Sequence, residues 1–195
     1  MKNGLVVFVL LFVLAACSPQ SNQDKYNRLV KRELASQKRV DSIFFDIRLG
    51  MSRKDFYMYC WEMNKKELFF EGIGNMYVLY KLKNQLHHPA SMNFYPDFND
   101  STIWRMRTLF QYDGWVPWNK KLSADSLLPD VVLLYKKWYN SGNPFIELED
   151  GKTGMKYVKV DGNRRITIRK SDDVVVEAYY TDMRVENKIK PKDAH

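Results

Sequence analysis

The chain has 195 residues, a formal charge of +8 and 45% hydrophobic residues. A chain of that length buries roughly 70% of its unfolded surface, so one domain or two small intimate ones can fold without disulfide staples. Its basic balance calls for acidic partners, and at a cell envelope those are lipid headgroups and acidic polysaccharides sooner than nucleic acid.

Met1 and Lys2 give a positive start, and residues 5–16 are apolar without a break. Twelve residues of helix span only about 18 Å, against the ~30 Å hydrocarbon core of a bilayer. The run is too short to cross a membrane and fits the apolar part of a secretory signal. Leu14-Ala15-Ala16-Cys17 at its end resembles the lipobox of bacterial lipoproteins. The resemblance implies cleavage before Cys17, a diacylglyceryl thioether on its sulfur and acylation of its new amino group. Two or more chains make such an anchor stable. Ser18 rather than Asp in the next position implies delivery to an outer membrane. With residues 1–16 read as signal peptide, 179 residues and a charge of +7 remain. Cys60 is then the one thiol left. It falls on the same side of a predicted helix as Phe56 and Met63, so burial is expected.

Residues 17–42 read as the lipidated N-terminus and a basic arm. A helix is expected over 24–40, with Tyr26, Leu29, Val30, Leu34 and Val40 on a thin apolar face that predicts light packing or fraying. Residues 20–40 carry Lys25, Arg28, Lys31, Arg32, Lys38 and Arg39 against Asp24 and Glu33, a net +4. Such an arm either lies on an anionic membrane surface or serves as a solvated tether.

The first folded unit is expected over 43–118. Residues 43–49 read as an extended lead-in to Gly50. Ser52 with Asp55 three residues on makes an N-cap, and Phe56, Tyr59, Cys60 and Met63 follow at helical spacing, predicting a helix over 53–68. Strands are predicted at 76–83, 91–95 and 103–112, with 96–101 as a turn. In the third strand Trp104, Met106, Phe110 and Tyr112 share one face while Arg105, Arg107 and Gln111 share the other, the habit of an antiparallel sheet with one wet side.

The second unit is expected over 119–187, with 188–195 as a tail. Its helix is predicted over 126–141, with Pro129 in the first turn, Gly142 as cap and Pro144 beyond. Strands follow at 145–149, 155–160, 165–169 and 174–181, with 182–185 extending the last. Each unit is one capped helix and then antiparallel strands. The fold class is therefore α+β: two helix-plus-antiparallel-sheet units, read as a tandem repeat or as convergent spacing, preceded by a basic helical arm. Leu49-Gly50-Met51-Ser52 leading into helix and strands is similar to the helix start of the small outer-membrane assembly lipoproteins (the SmpA/OmlA group). It also resembles the wider β-lactamase-inhibitor fold group. That family's Leu-Gly-x-Pro after the helix is missing, so the resemblance implies architecture and no binding residue.

Chemistry-bearing motifs are scarce. His87-His88-Pro89 reads as an exposed loop, since adjacent histidines seldom ligate one metal and no partner ligand lies at suitable spacing. Asp97-Phe98-Asn99-Asp100 lacks the glycine and glutamate of a calcium loop and reads as a hairpin turn. Gly151-Lys152-Thr153 has Ile146 where a phosphate loop needs glycine. No catalytic, metal or cofactor residue is assigned, and the protein is read as no enzyme. The binding candidates are Trp115 and Trp118, with Tyr112 and Asp113 just before them. Loop tryptophans either bind a partner or close over the open end of a sheet. Trp61, Trp104 and Trp138 are expected in the core or at its rim. The expectation is an envelope lipoprotein, membrane-anchored at Cys17, that binds a protein partner in an assembly, adaptor or inhibitor-like role. The alternative is a glycan- or small-ligand-binding lipoprotein that uses the loop aromatics.

Overall fold

A computed structural model describes residues 21–189 other than Lys152, with Asn75 described by its backbone alone. Cys17, the expected signal segment and residues 190–195 lie outside the described residues. Alternating apolar and polar residues build eight strands: β1 (Phe70–Glu71), β2 (Val78–Leu82), β3 (Ala90–Asn99), β4 (Thr102–Tyr112), β5 (Ile146–Asp150), β6 (Gly154–Asp161), β7 (Arg164–Lys170) and β8 (Val176–Asp182). They form one antiparallel sheet in the order β1-β2-β3-β4-β8-β7-β6-β5. Two four-stranded meanders thus meet through their last strands, paired from Arg105↔Thr181 to Phe110↔Val176. A helix precedes each meander, α2 (Arg53–Lys65) and α3 (Ala124–Trp138), and two more helices, α1 (Asn22–Ala35) and α4 (Met183–Ile189), flank the body. The class is α+β.

The core lies between one sheet face and α2 and α3. Phe56 of α2 joins Leu127, Val131, Leu134 and Tyr135 of α3 over Met92, Phe94, Met106, Phe110, Ile166, Ile168 and Tyr180. The buried tyrosines keep their hydroxyls paired: Tyr135 with Thr108 Oγ1 at 3.2 Å and Tyr139 with Tyr180 at 2.7 Å. Unpaired, each would forfeit its hydration with no return. Residues 43–49 are not extended. Ile47 N–H donates to Phe44 O and Ile43 N–H to Ile47 O, and a bridge joins Ser42 to Arg48. The reversal buries Ile43, Phe44, Ile47 and Leu49 together, which a straight strand with alternating faces cannot do.

Several boundaries differ from expectation for local reasons. α2 stops at Lys65 because Leu68 and Phe69 N–H fold back onto Met63 O, through Glu67 at a φ of 57°. β3 runs on through Pro96 to a turn at Asp100–Ser101, since β2 pairs with it only as far as Phe94 and leaves a free edge where the proline sits. α3 begins two residues early because Ala124 N–H donates to Asp173 O at 2.8 Å, which moves Pro129 into the second turn. Residues after 182 form α4 rather than more strand. Asp182 Oδ1 accepts from Arg184 and Val185 N–H and caps the helix.

The opposite sheet face carries α1 and α4. Ser21 caps α1 by accepting from Asp24 N–H at 3.1 Å. Leu29, with Tyr26, Val30 and Leu34 beside it, packs on Leu148, Val158, Val160 and Met183 as a second apolar cluster. The arm is therefore a docked helix and not a frayed one. Polar contacts fix its far end: Gly162 N–H donates to Glu33 Oε2 at 2.9 Å, and Val40 N–H donates to Asn163 Oδ1 at 2.7 Å. Gly162 has a φ of 57°, and a Cβ there would stand 2.5 Å from Lys38 O, so the hairpin accepts the chain only as glycine.

Candidate functional site

The four residues proposed from sequence separate in the structure. Tyr112 is buried, its hydroxyl donating to Asp130 Oδ2 at 2.6 Å, so it is unavailable to a ligand. Asp113 is exposed at the end of β4, accepting from Ser91 Oγ at 2.5 Å and pairing with Lys81 Nζ at 3.3 Å. Trp115 is half-buried beside a cleft of about 790 Å³ that Pro117, Lys120, Asp125 and Asp172 also line. Trp118 does not close over the sheet; it is 82% exposed.

Exposed apolar side chains concentrate on the first unit. Among the described residues twelve large apolar side chains are exposed, and eight of them fall within residues 45–76. Tyr57, Met58 and Trp61 form a stripe at helical spacing along the outer side of α2, and Trp61, expected in the core or at its rim, is 59% exposed. Lys65 Nζ stands 3.4 Å over the Trp61 ring, which holds the indole against the helix. Leu68, Phe70, Ile73 and Met76 are also exposed in and around β1 and the turn after it, Met76 to 67%, with Ile73 beside Leu79, Lys81 and Asn93 on the sheet face away from α2. β1 is the sheet's edge and only two residues long, so this margin offers side chains rather than a run of free backbone groups. The missed signal was in the sequence: α2 has apolar residues on both sides, and Phe56, Tyr59, Cys60 and Met63 suffice for the core.

The sheet face beside α1 is polar. Glu177 on β8 accepts from Arg107 at 3.0 Å, from Arg169 at 2.8 Å and from the Tyr179 hydroxyl at 2.9 Å. Asp150 pairs with Arg169 and Lys156, Glu186 with Arg165, and Asp97 with Arg105. Burial alone would lower the pKa of Arg169, and Glu177 with Asp150 outweighs it and raises it. Five cations face four acids, so the ladder is nearly self-neutral and its charges are spent on one another. That makes it a weak trap for anions.

His87 lies in an exposed loop, as its motif suggested, and is held there by Asp130. Its backbone N–H donates to Asp130 Oδ2 at 2.9 Å and its Nδ1 meets Asp130 Oδ1 at 2.5 Å, while most of the ring is exposed. Asp130 lies in α3 and is nearly buried, so the pair latches the β2–β3 loop to the helix. The shallow cavity beside it is lined by Asn84, Gln85, Leu86, Leu133, Leu134 and Lys137, which supply no hydroxyl or thiol for His87 to activate. Burial pushes the Cys60 thiol up to about 12, which leaves it protonated and unreactive at neutral pH. Among the described residues no group of three or more His, Cys, Asp or Glu side chains is placed to hold a metal, and no helix is long and apolar enough to cross a membrane.

No protein-family model matches the chain, and no curated protein matches it. Among solved structures it is similar to the crystal structure of a DUF4309 family protein (YjgB) from Bacillus subtilis, at 16% identity. The likeness covers 83% of this chain and 95% of that chain, with a TM-score of 0.31.

Proposed function

We propose that the protein is a lipid-anchored, non-catalytic lipoprotein of the bacterial envelope, held at the outer membrane through Cys17, that binds a protein partner. The binding surface is the outer side of α2 with the adjoining β1 margin. One observation carries this: among the described residues, eight of the twelve exposed large apolar side chains fall within residues 45–76. Singly exposed apolar residues are ordinary, whereas a concentration of them including a tryptophan and two methionines is the composition of an interface centre. A central tryptophan typically contributes about 2 kcal/mol or more to a protein interface, a factor of roughly 30 in affinity. Trp61→Ala should therefore release the partner in pull-downs from the envelope, while Trp118→Ala retains it. Equal retention by both variants would remove α2 as the contact surface.

A second reading is glycan binding at the 115–118 linker. It is favoured by the exposure of Trp118 next to the 790 Å³ cleft beside Trp115. Indole fluorescence that responds to soluble envelope polysaccharide in the wild type and not in Trp118→Ala would support it.

A further inference from the structure

The docking of α1 sets where the membrane lies relative to the body, given the lipid anchor proposed above, on which this inference rests. α1 belongs to the body: Leu29 is buried, Asn22 Nδ2 donates to Glu147 O at 3.0 Å, and Glu33 accepts from Gly162 N–H. Only residues 18–21 separate Cys17 from the start of α1 at Asn22. Five Cα-to-Cα steps reach at most about 17 Å. An acylated Cys17 lies at the bilayer surface, so the first turn of α1 is held within roughly two Debye lengths of the headgroups. The arm expected over 17–42 is no free tether, because 14 of its residues form a helix packed on the sheet.

The side of α1 that faces away from the sheet is basic. Lys25, Arg28, Lys31 and Arg32 are all exposed there, opposite Tyr26, Leu29, Val30 and Leu34. The two acids of the helix offset them only in part. Glu33 pairs with Arg32 at 3.1 Å while also accepting from Gly162 and Asn143, and Asp24 accepts from the Ser21 hydroxyl. The helix thus keeps a net charge of +2, with Lys25, Arg28 and Lys31 on its outer side. The four cations span two turns, so the helix engages all of them only when it lies parallel to the surface. We propose that this outer face of α1 is the seat of the protein on an acidic phospholipid surface, α1 lying flat on the headgroups. The polar sheet face then borders the membrane, and α2, on the other side of the sheet, points away from it.

The test is amine modification of the lipidated full chain reconstituted in two vesicle preparations, phosphatidylcholine alone and phosphatidylcholine with phosphatidylglycerol. Lys25 and Lys31 should react about fivefold more slowly on the acidic vesicles, the ratio that the usual attraction of one basic residue to an anionic surface gives. Lys136 and Lys137, exposed on α3 across the sheet, should react alike on both, and added salt should restore Lys25 and Lys31. The double variant Arg28→Gln/Arg32→Gln should lose most of the protection. Equal reactivity of Lys25 and Lys31 on both vesicles, with the protein stably anchored, overturns the seat alone. Protein that does not partition into vesicles and carries no acyl group at Cys17 overturns the anchor and the seat together.

Discussion

Asp130 shows how much one side chain can hold. It accepts from the Tyr112 hydroxyl, from His87 N–H and from the His87 ring, joining α3, the end of β4 and the β2–β3 loop. Burial alone would raise its pKa; the three donors outweigh that and hold the carboxyl below its ordinary value. A depressed carboxylate stabilises the fold above its unfolded pKa of about 3.9, and that contribution is lost as pH falls through the folded pKa. Glu33 and Asp150 shift in the same direction, so the protein should lose stability at acid pH below about 4. Asp130→Asn should cost about 2 kcal/mol at neutral pH in urea titration, with the deficit shrinking near pH 3. An undiminished deficit at the acid end would mean the carboxylate's charge plays no part. Of this cluster only the burial of Tyr112 was legible in the sequence. The alternation along β4 already put Tyr112 on the apolar face with Phe110, and that was a better guide than its adjacency to Asp113 and Trp115. The partner, 18 residues on in a helix, and His87, 43 residues away, leave no local trace.

At the scale of elements, the strands and both capped helices were legible because period and punctuation agree there. α1 was legible as a helix and not as a docked one. Its face is four residues wide, and the surface that completes it, Leu148 and Val158, arrives more than a hundred residues later in the chain. Leu29→Ala should cost about 2–3 kcal/mol, since the side chain is nearly fully buried between helix and strands. Hydrogen exchange should then speed up in α1 while α3 stays protected. A cost near zero would mean that α1 is only resting on the sheet. α4 was missed for the opposite reason: Asp182 is itself the last residue of β8, and a capping aspartate that also closes a strand passes for more strand.

At the scale of the molecule, two similar halves share one core. Phe94 and Phe110 from the first meander and Ile166 and Tyr180 from the second belong to the same buried cluster, and Phe44 contacts both Phe94 and Tyr180 at ring separations of 5.0 and 5.6 Å. Unfolding should accordingly be a single transition, with tryptophan emission and far-ultraviolet circular dichroism changing together in urea. Two separated transitions would show the halves to be independent. The α+β architecture and the two-unit order were readable from sequence, whereas the pairing of β4 with β8 was not, because neither strand names its neighbour. That pairing has a consequence for how the chain is made. Thr108 and Ala178, hydrogen-bonded across it at 3.0 Å, lie 70 residues apart, and β8 is synthesised after every other described strand. Until it arrives, the 11-residue β4 stands with one side of its backbone unpaired, an open invitation to a neighbouring nascent chain. Shielding during synthesis is therefore a demand of this topology, and it ends only when β8 closes the seam.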